Sequence, residues 1–482
     1  MLVSLTQKVA SWHGHPRGDC EGHLPDLPIT LRRDLAEPLA VQLADAVRSA
    51  ASGGALRVGD RLPSTRALAA RLGVSRTVTA AAYEQLHAEG WLAGRHGSGT
   101  YVAATPHAHR GTARSRRPAA HRAEPPALDL TPGSSWAAGL DRAGWRRAWR
   151  AAADAPVLSR PARAGLPPYR AVVAEHLLRH RGLPADDEAV LATAGTTAGL
   201  LEVAYGTLRR GDAVAVEEPG YQRAVCALRT AGIRVLPAPV DGHGLVVDAV
   251  PRGVRAVYCT PAHQYPLGAR LPADRRVALI ERARAEGFWV IEDDYDGELR
   301  YDVAPLPLLA ALGPDVVVHL GTTSKIFSAT LGAGWLVGPA AVTAAVLAHR
   351  DRTGTAPAAA GQRVLVELAR HGDLARHLRR LRRELAQRRE LLVGALTAAG
   401  LPVQGDDAGA HLLVPLPDAA AEQDVQAAGA RAGLRLDGLA RHHAHRPRRY
   451  GVPIGYAACS RPELAAALPT LVRLFTQAAD AR

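Results

Sequence analysis

Apolar positions change their period along this chain, and each change marks an element. From Pro38 onward, Leu39, Leu43 and Val47 recur at helical spacing and predict an amphipathic helix. Leu62-Pro63-Ser64 leads into a second, short helix carrying Leu68 and Leu72, with Ser64 as its N-cap. Gly73-Val74 makes a tight turn. Ser75 then caps a third helix that runs to about Glu89, where Gly90 ends it. Trp91-Leu92-Ala93 and Thr100-Tyr101-Val102 alternate as short strands around the turn from Gly94 to Gly99.

Two helices joined by a short turn and followed by a hairpin describe a winged helix-turn-helix over residues 31–103. Residues 1–30, rich in His, Gly and Pro, show no period and read as a flexible tail. Residues 104–127 alternate Arg and Pro without apolar periodicity and read as an extended basic linker. From Leu128 to the end at 482, apolar strand runs alternate with helical segments. The strand runs are Val190–Ala192, Ala213–Val216, Val254–Cys259, Phe288–Ile291 and Val316–Leu320. That alternation predicts an α/β domain with a mainly parallel sheet, followed by a long Arg-rich helix near 373–400 and a smaller C-terminal α/β section.

Composition narrows the class. With 482 residues the chain exceeds one ordinary domain. It holds no apolar run of membrane-spanning length and no basic-then-apolar leader pattern, so a cytoplasmic protein is expected. Cys20, Cys226, Cys259 and Cys459 are scattered, without a metal or disulfide spacing. The net charge of +13 points to an anionic partner. In a helix-turn-helix the second helix enters the major groove with its first turn at the base edges. That puts Ser75, Arg76 and Thr77 at the bases of a double-stranded operator, with Arg66 and the wing residues Arg95 and His96 at phosphates or an adjacent groove.

Of 59 Lys plus Arg residues only Lys8 and Lys325 are lysines. A Schiff base needs a primary amine that can lose its proton, and guanidinium cannot take its place. Lys325 closes Gly321-Thr322-Thr323-Ser324-Lys325, directly after an apolar strand. Ligands of parallel sheets gather at the carboxyl ends of strands, and the chemistry-bearing residues fall there. Asp293 ends one strand, where a carboxylate beneath a pyridine nitrogen would keep that nitrogen protonated. Tyr295 is positioned for a phenolic oxygen of such a ring, and Tyr221 for stacking on it. Gly195-Thr196-Thr197 opens a helix whose backbone amides suit a phosphate, and Thr322 adds a hydroxyl. Together these residues describe a pyridoxal phosphate pocket.

Two resemblances follow. Leu62 to Ala69, Leu72 to Arg76, Tyr83, Glu89 to Leu92 and Gly97 to Val102 resemble the GntR-type winged-helix domain. One departure is Val78-Thr79, where that family often has the reverse order. Val216 to Tyr221, Thr260 to Gly268, Ile291 to Tyr301 and Gly321 to Lys325 resemble fold-type I aminotransferases. Fused in this order, the two halves resemble MocR-type transcriptional regulators. The resemblance implies Lys325 as the Schiff-base lysine, Asp293 at the pyridine nitrogen, Tyr295 at the phenolic oxygen and Tyr221 near the ring. It also implies a head-to-tail homodimer and an amine or amino-acid-like effector, without sustained transamination. A working aminotransferase with a DNA tether, and a regulator whose large domain has lost its cofactor, are the alternatives.

The pattern breaks in places. Gly332 stands where family members carry a phosphate-pairing arginine. Arg160-Pro161-Ala162-Arg163-Ala164-Gly165 replaces a stretch whose tyrosine reaches a partner's cofactor, so Arg160 or Arg163 is expected to supply the missing phosphate charge in trans. No carboxylate-clamping arginine aligns with the C-terminal strand Tyr450–Ala457. His442-His443 with His445 is read as a solvated loop and not as a metal site.

Overall fold

The computed structural model describes residues 29–95, 99–104, 128–301 and 306–480. Most of the expected tail, most of the basic linker, His96 and the side chain of Arg95 lie outside the described residues. The chain divides into two compact units, Met1–His121 and Arg122–Arg482.

In the first unit, helix α1 (Leu39–Ser52) buries Leu43, Ala44, Val47 and Ala51 along one face. Strand β1 (Arg61–Leu62), helix α2 (Thr65–Leu72) and helix α3 (Arg76–Ala88) follow, then the hairpin of β2 (Leu92–Arg95) and β3 (Gly99–Val102). Strand β3 lies between β1 and β2, antiparallel to both. Both expected caps are present: Ser64 Oγ accepts from the Ala67 amide at 3.2 Å and Ser75 Oγ from the Val78 amide at 3.4 Å. Helix α2 stops where Gly73 turns left-handed at φ 64°. Thr79 is fully buried, and its hydroxyl donates to the Thr65 carbonyl at 2.9 Å. Tyr83 donates to the Pro63 carbonyl at 2.9 Å. These two bonds tie α3 to the first residue of α2 and to the segment just before it. The inverted Val78-Thr79 order is therefore a packing feature, because Thr79 faces the preceding helix.

In the second unit, β4 (Leu128–Asp129), helices α4 (Arg142–Asp154) and α5 (Pro167–Arg181), β5 (Val190–Thr193) and helix α6 (Thr196–Thr207) come first. Strands β6 (Ala213–Glu218), β7 (Arg234–Asp241), β8 (Gly244–Leu245), β9 (Ala256–Cys259), β10 (Trp289–Asp294), β11 (Val317–Thr322) and β12 (Gly334–Val337) follow. Among the described residues the central sheet has eight strands in the order β5-β12-β11-β10-β9-β6-β7-β8. Strands β11, β10, β9, β6 and β7 are mutually parallel. Strand β12 is antiparallel to both β11 and β5, so β5 runs in the same direction as the parallel set. The expected strand runs are all present, whereas β7, β8 and β12 were not anticipated. Burial on both faces explains the near-continuous apolar runs: along β5, Val190 and Ala192 join one core cluster while Leu191 joins the other.

The C-terminal section holds the helix Asp373–Ala398, a hairpin-like pair of β13 (His411–Leu416) with β15 (Tyr450–Gly455), and β14 (Leu434–Arg435). Strand β14 pairs in parallel with β4, matching Leu434 to Leu128 and Arg435 to Asp129. That pairing brings the start of this unit to its C-terminal section, at the edge where the parallel strands end.

Close packing at that edge demands glycine. A Cβ on Gly334 would lie 2.7 Å from the Gly195 Cα and from the Gly321 carbonyl oxygen. The Gly334 carbonyl also accepts the hydroxyl of fully buried Tyr169 at 2.7 Å. Gly334→Ala is expected to destabilise the second unit by about 1–3 kcal/mol. Urea unfolding followed by tryptophan fluorescence checks this, and an unchanged midpoint would show that the backbone yields without cost.

Candidate functional site

The carboxyl ends of β5, β6, β9, β10 and β11 surround a cavity of about 610 Å³. Lys325, Asp293, Tyr295, Tyr221, Thr196, Thr197 and Thr322 all line it. Sequence separation among them exceeds a hundred residues, and the shared strand direction is what gathers them.

Asp293 is the penultimate residue of β10, 3% exposed. One carboxylate oxygen, Oδ2, accepts the Tyr258 hydroxyl. The other, Oδ1, is buried with no partner among the described residues. Burial pushes this carboxyl up to about 7, against hydrogen bonds from Tyr258 and Thr196 that favour its charge. An orphaned acceptor of this kind fits a protonated ring nitrogen. Lys325 lies across the cavity, its Nζ donating to the Gly133 carbonyl. Burial lowers the pKa of its amine, while Asp296 and Asp293 act in the opposite direction.

The anion end is made of backbone and hydroxyls. Gly195, at φ 133°, precedes α6 and offers no capping side chain, so the first-turn amides of that helix stay available. Thr322 Oγ1 and Ser324 Oγ are 2.8 Å apart beside it. This cradle and the buried carboxylate lie at the same cavity as the lysine, so the residues present fit pyridoxal phosphate. Tyr221 stands with its hydroxyl 3.5 Å from Thr197 Oγ1 and its ring edge-on to Tyr265. Tyr295 donates its hydroxyl to the His263 carbonyl at 3.0 Å.

Other expectations fare differently. Arg160 is exposed and does not line the cavity of its own chain. Arg163 pairs with Asp351 at 2.7 Å and donates to the Arg350 carbonyl at 2.7 Å, away from the cavity. Gly332 ends a short turn at φ 60°, and a Cβ there would meet nothing within 4 Å. His442, His443 and His445 do not converge: His442 approaches Asp437 at 3.3 Å and His445 approaches Glu218 at 3.0 Å. Arg223, Arg435 and Arg441 also line the cavity, and the sequence reading had not singled them out. Arg223 was within reach of it, two residues past Tyr221 on the same helix start. The other two arrive through the β14–β4 pairing, which leaves no local signal.

On the first unit, Arg66, Ser75, Arg76 and Thr77 are exposed. Ser75 Oγ lies 3.0 Å from Thr77 Oγ1 at the N-terminus of α3, where a groove-reading helix presents its first turn.

The raised Asp293 pKa gives a testable sign. An unfolded Asp ionises near about 3.9. Its folded value of about 7 lies above that. The contribution to stability is therefore complete below the unfolded value and is lost as pH rises through about 4 to about 7. Cofactor-free Asp293→Asn is expected to exceed cofactor-free wild type in stability by on the order of 1–4 kcal/mol at alkaline pH, with the gap closing in acid. Thermal unfolding of both proteins across that range reads it, and a gap independent of pH would assign the titration elsewhere.

Comparison with known proteins bears on both units. Residues 39–102 match the bacterial regulatory proteins of the gntR family, and residues 137–467 match the aminotransferases of class I and II. The chain is similar to the HTH-type pyridoxine biosynthesis transcriptional regulator PdxR of Corynebacterium glutamicum, 37% identical over 77% of this chain and 82% of that protein. It is also similar to the probable rhizopine catabolism regulatory protein MocR of Rhizobium meliloti, 30% identical over 89% of this chain and 92% of that protein. An archaeal alanine:glyoxylate aminotransferase structure shares the fold, with TM-score 0.68 and 22% identity over 73% of this chain and 91% of that one. Pyridoxal phosphate is accordingly the cofactor of the large domain. The chain belongs to the MocR-type transcriptional regulators, DNA-binding proteins in which a GntR-type winged helix is fused to a class I and II aminotransferase domain.

Proposed function

We propose that this regulator senses an amine or amino-acid-like effector through cofactor held at Lys325, and that the response alters how two winged helices engage an operator. The observation that carries the reading is that Lys325 and the partnerless buried oxygen of Asp293 meet at one cavity. Pyridoxal phosphate, when bound, supplies an electron-accepting ring and a carbonyl carbon that takes up primary amines. Asp293 would hold the ring nitrogen's proton, the α6 amides with Thr196, Thr197 and Thr322 would hold the phosphate, and Tyr221 and Tyr295 would stand at the ring and its phenolic oxygen. Arg223, Arg435 and Arg441 give one wall positive charge, which favours an effector that carries an anion beside its amine. Turnover would discharge the sensor, so the reading is a cytoplasmic regulator rather than a working aminotransferase. Effector binding acts as a population shift between two arrangements of a head-to-tail homodimer, which requires unequal affinity for the two.

The direct test is the visible spectrum of purified full-length protein with added pyridoxal phosphate, beside Lys325→Ala. A band present only with Lys325 and removed by borohydride is expected. Its absence at saturating cofactor would end the sensor reading.

Two further outcomes follow. Arg160, reaching a partner's cavity, is proposed to replace the charge missing at Gly332. Arg160→Ala is then expected to weaken cofactor binding by about 1–3 kcal/mol, roughly one to two decades, in a fluorescence titration. Unchanged affinity would remove Arg160 from the site. Arg76→Ala is expected to cost about 1–3 kcal/mol of binding to a genomic fragment selected by the wild type, and less on non-specific duplex. Fluorescence anisotropy at fixed salt separates the two.

A further inference from the structure

Behind Tyr295 lies a second polar cluster that neither the cofactor pocket nor the DNA-reading face uses. His263 comes from the turn after β9, Asp296 from the turn after β10, and His411 opens β13. They are 1%, 3% and 2% exposed. A ring nitrogen of each histidine and a carboxylate oxygen of Asp296 lie within 4.8 Å of one another. His263 Nδ1 approaches Asp296 Oδ2 at 2.9 Å and the Tyr295 hydroxyl at 3.1 Å. The rings of His263 and His411 are 4.8 Å apart between centroids.

Hydrogen bonding among these groups is incomplete. Nε2 of His411 and Nε2 of His263 are both buried without a partner among the described residues. Buried ring nitrogens are ordinarily satisfied, so the open Nε2 of His411 beside one buried carboxylate needs a reason. The backbone is also cut back around them. A Cβ on Gly409 would lie 2.1 Å from His263 Cε1 and 2.8 Å from Asp296 Oδ2, and one on Gly268 would lie 3.3 Å from His263 Nε2.

We propose that His263, Asp296 and His411 form a buried site for a borderline divalent transition metal ion, of the zinc or cobalt class. Two imidazoles and one carboxylate are the donor chemistry such ions prefer, and hard ions such as magnesium would favour more oxygen. Three protein ligands leave at least one coordination position open. Burial lowers the pKa of the His411 ring. With the ion on Nδ1 of His263, the ring proton resides on Nε2, and the ion takes the place of the present His263–Asp296 hydrogen bond. The ion would then sit next to the Tyr295 hydroxyl and tie the placement of that residue to metal supply. No local spacing announces the site, because the three ligands come from three separate elements.

The experiment uses untagged full-length protein, stripped with chelator and titrated with Co²⁺ and Zn²⁺. One Co²⁺ per chain with visible ligand-field bands, displaced by Zn²⁺, is expected. His411→Gln and Asp296→Asn are expected to weaken binding at least about tenfold, and exchanging His13, His15 and His23 of the tail for Asn to leave it intact. Bands that vanish with the tail histidines, or binding undiminished in both site variants, would overturn the proposal. If a site variant fails to fold, the tail variant decides alone: retained one-to-one bands support the site and their absence overturns it.

Discussion

A carboxylate buried without a cation is costly in any fold, and Asp293 is such a group. Its cost is contained by the Tyr258 hydroxyl on one oxygen and by a raised pKa, which lets the group go neutral near pH 7 when nothing else is present. Its other oxygen remains open toward the cavity wall. The central sheet fixes the position of this group. Strand β10 lies in the middle of the sheet, flanked by β9 and β11, so Asp293 cannot move without the sheet. Lys325 leaves the neighbouring strand β11, and the phosphate cradle begins at β5.

The cavity is charged unevenly: Arg223, Arg435 and Arg441 all line it. Arg441 is paired with Asp437 at 3.2 Å and Arg435 with Asp129 at 3.6 Å. Those acids temper the wall, and Arg223, exposed like the other two, has no acidic partner among the described residues.

The DNA-reading unit depends on local rules. Caps at Ser64 and Ser75, the left-handed Gly73 and the buried Thr79 hydroxyl set the relation of α2 to α3. Exposed Arg66 and Arg76 then need only stand on those helices. In the large domain the decisive rule is non-local: parallel strands share a polarity, so their ends meet at one edge.

That contrast separates what each level of description determined. Helix periods, caps, strand runs and the lone internal lysine are set within a few residues, so the sequence by itself carried the winged helix, the α/β class and the lysine, aspartate, tyrosines and threonines that meet at the cavity. The insertion of β12 between β5 and β11, the β14–β4 pairing that delivers Arg435 and Arg441, the exposure of Arg160 and the meeting of His263, Asp296 and His411 were decided only by tertiary structure. Each of these depends on which distant segments pair. Pairing is selected by the burial of whole faces, and no short stretch of sequence encodes it.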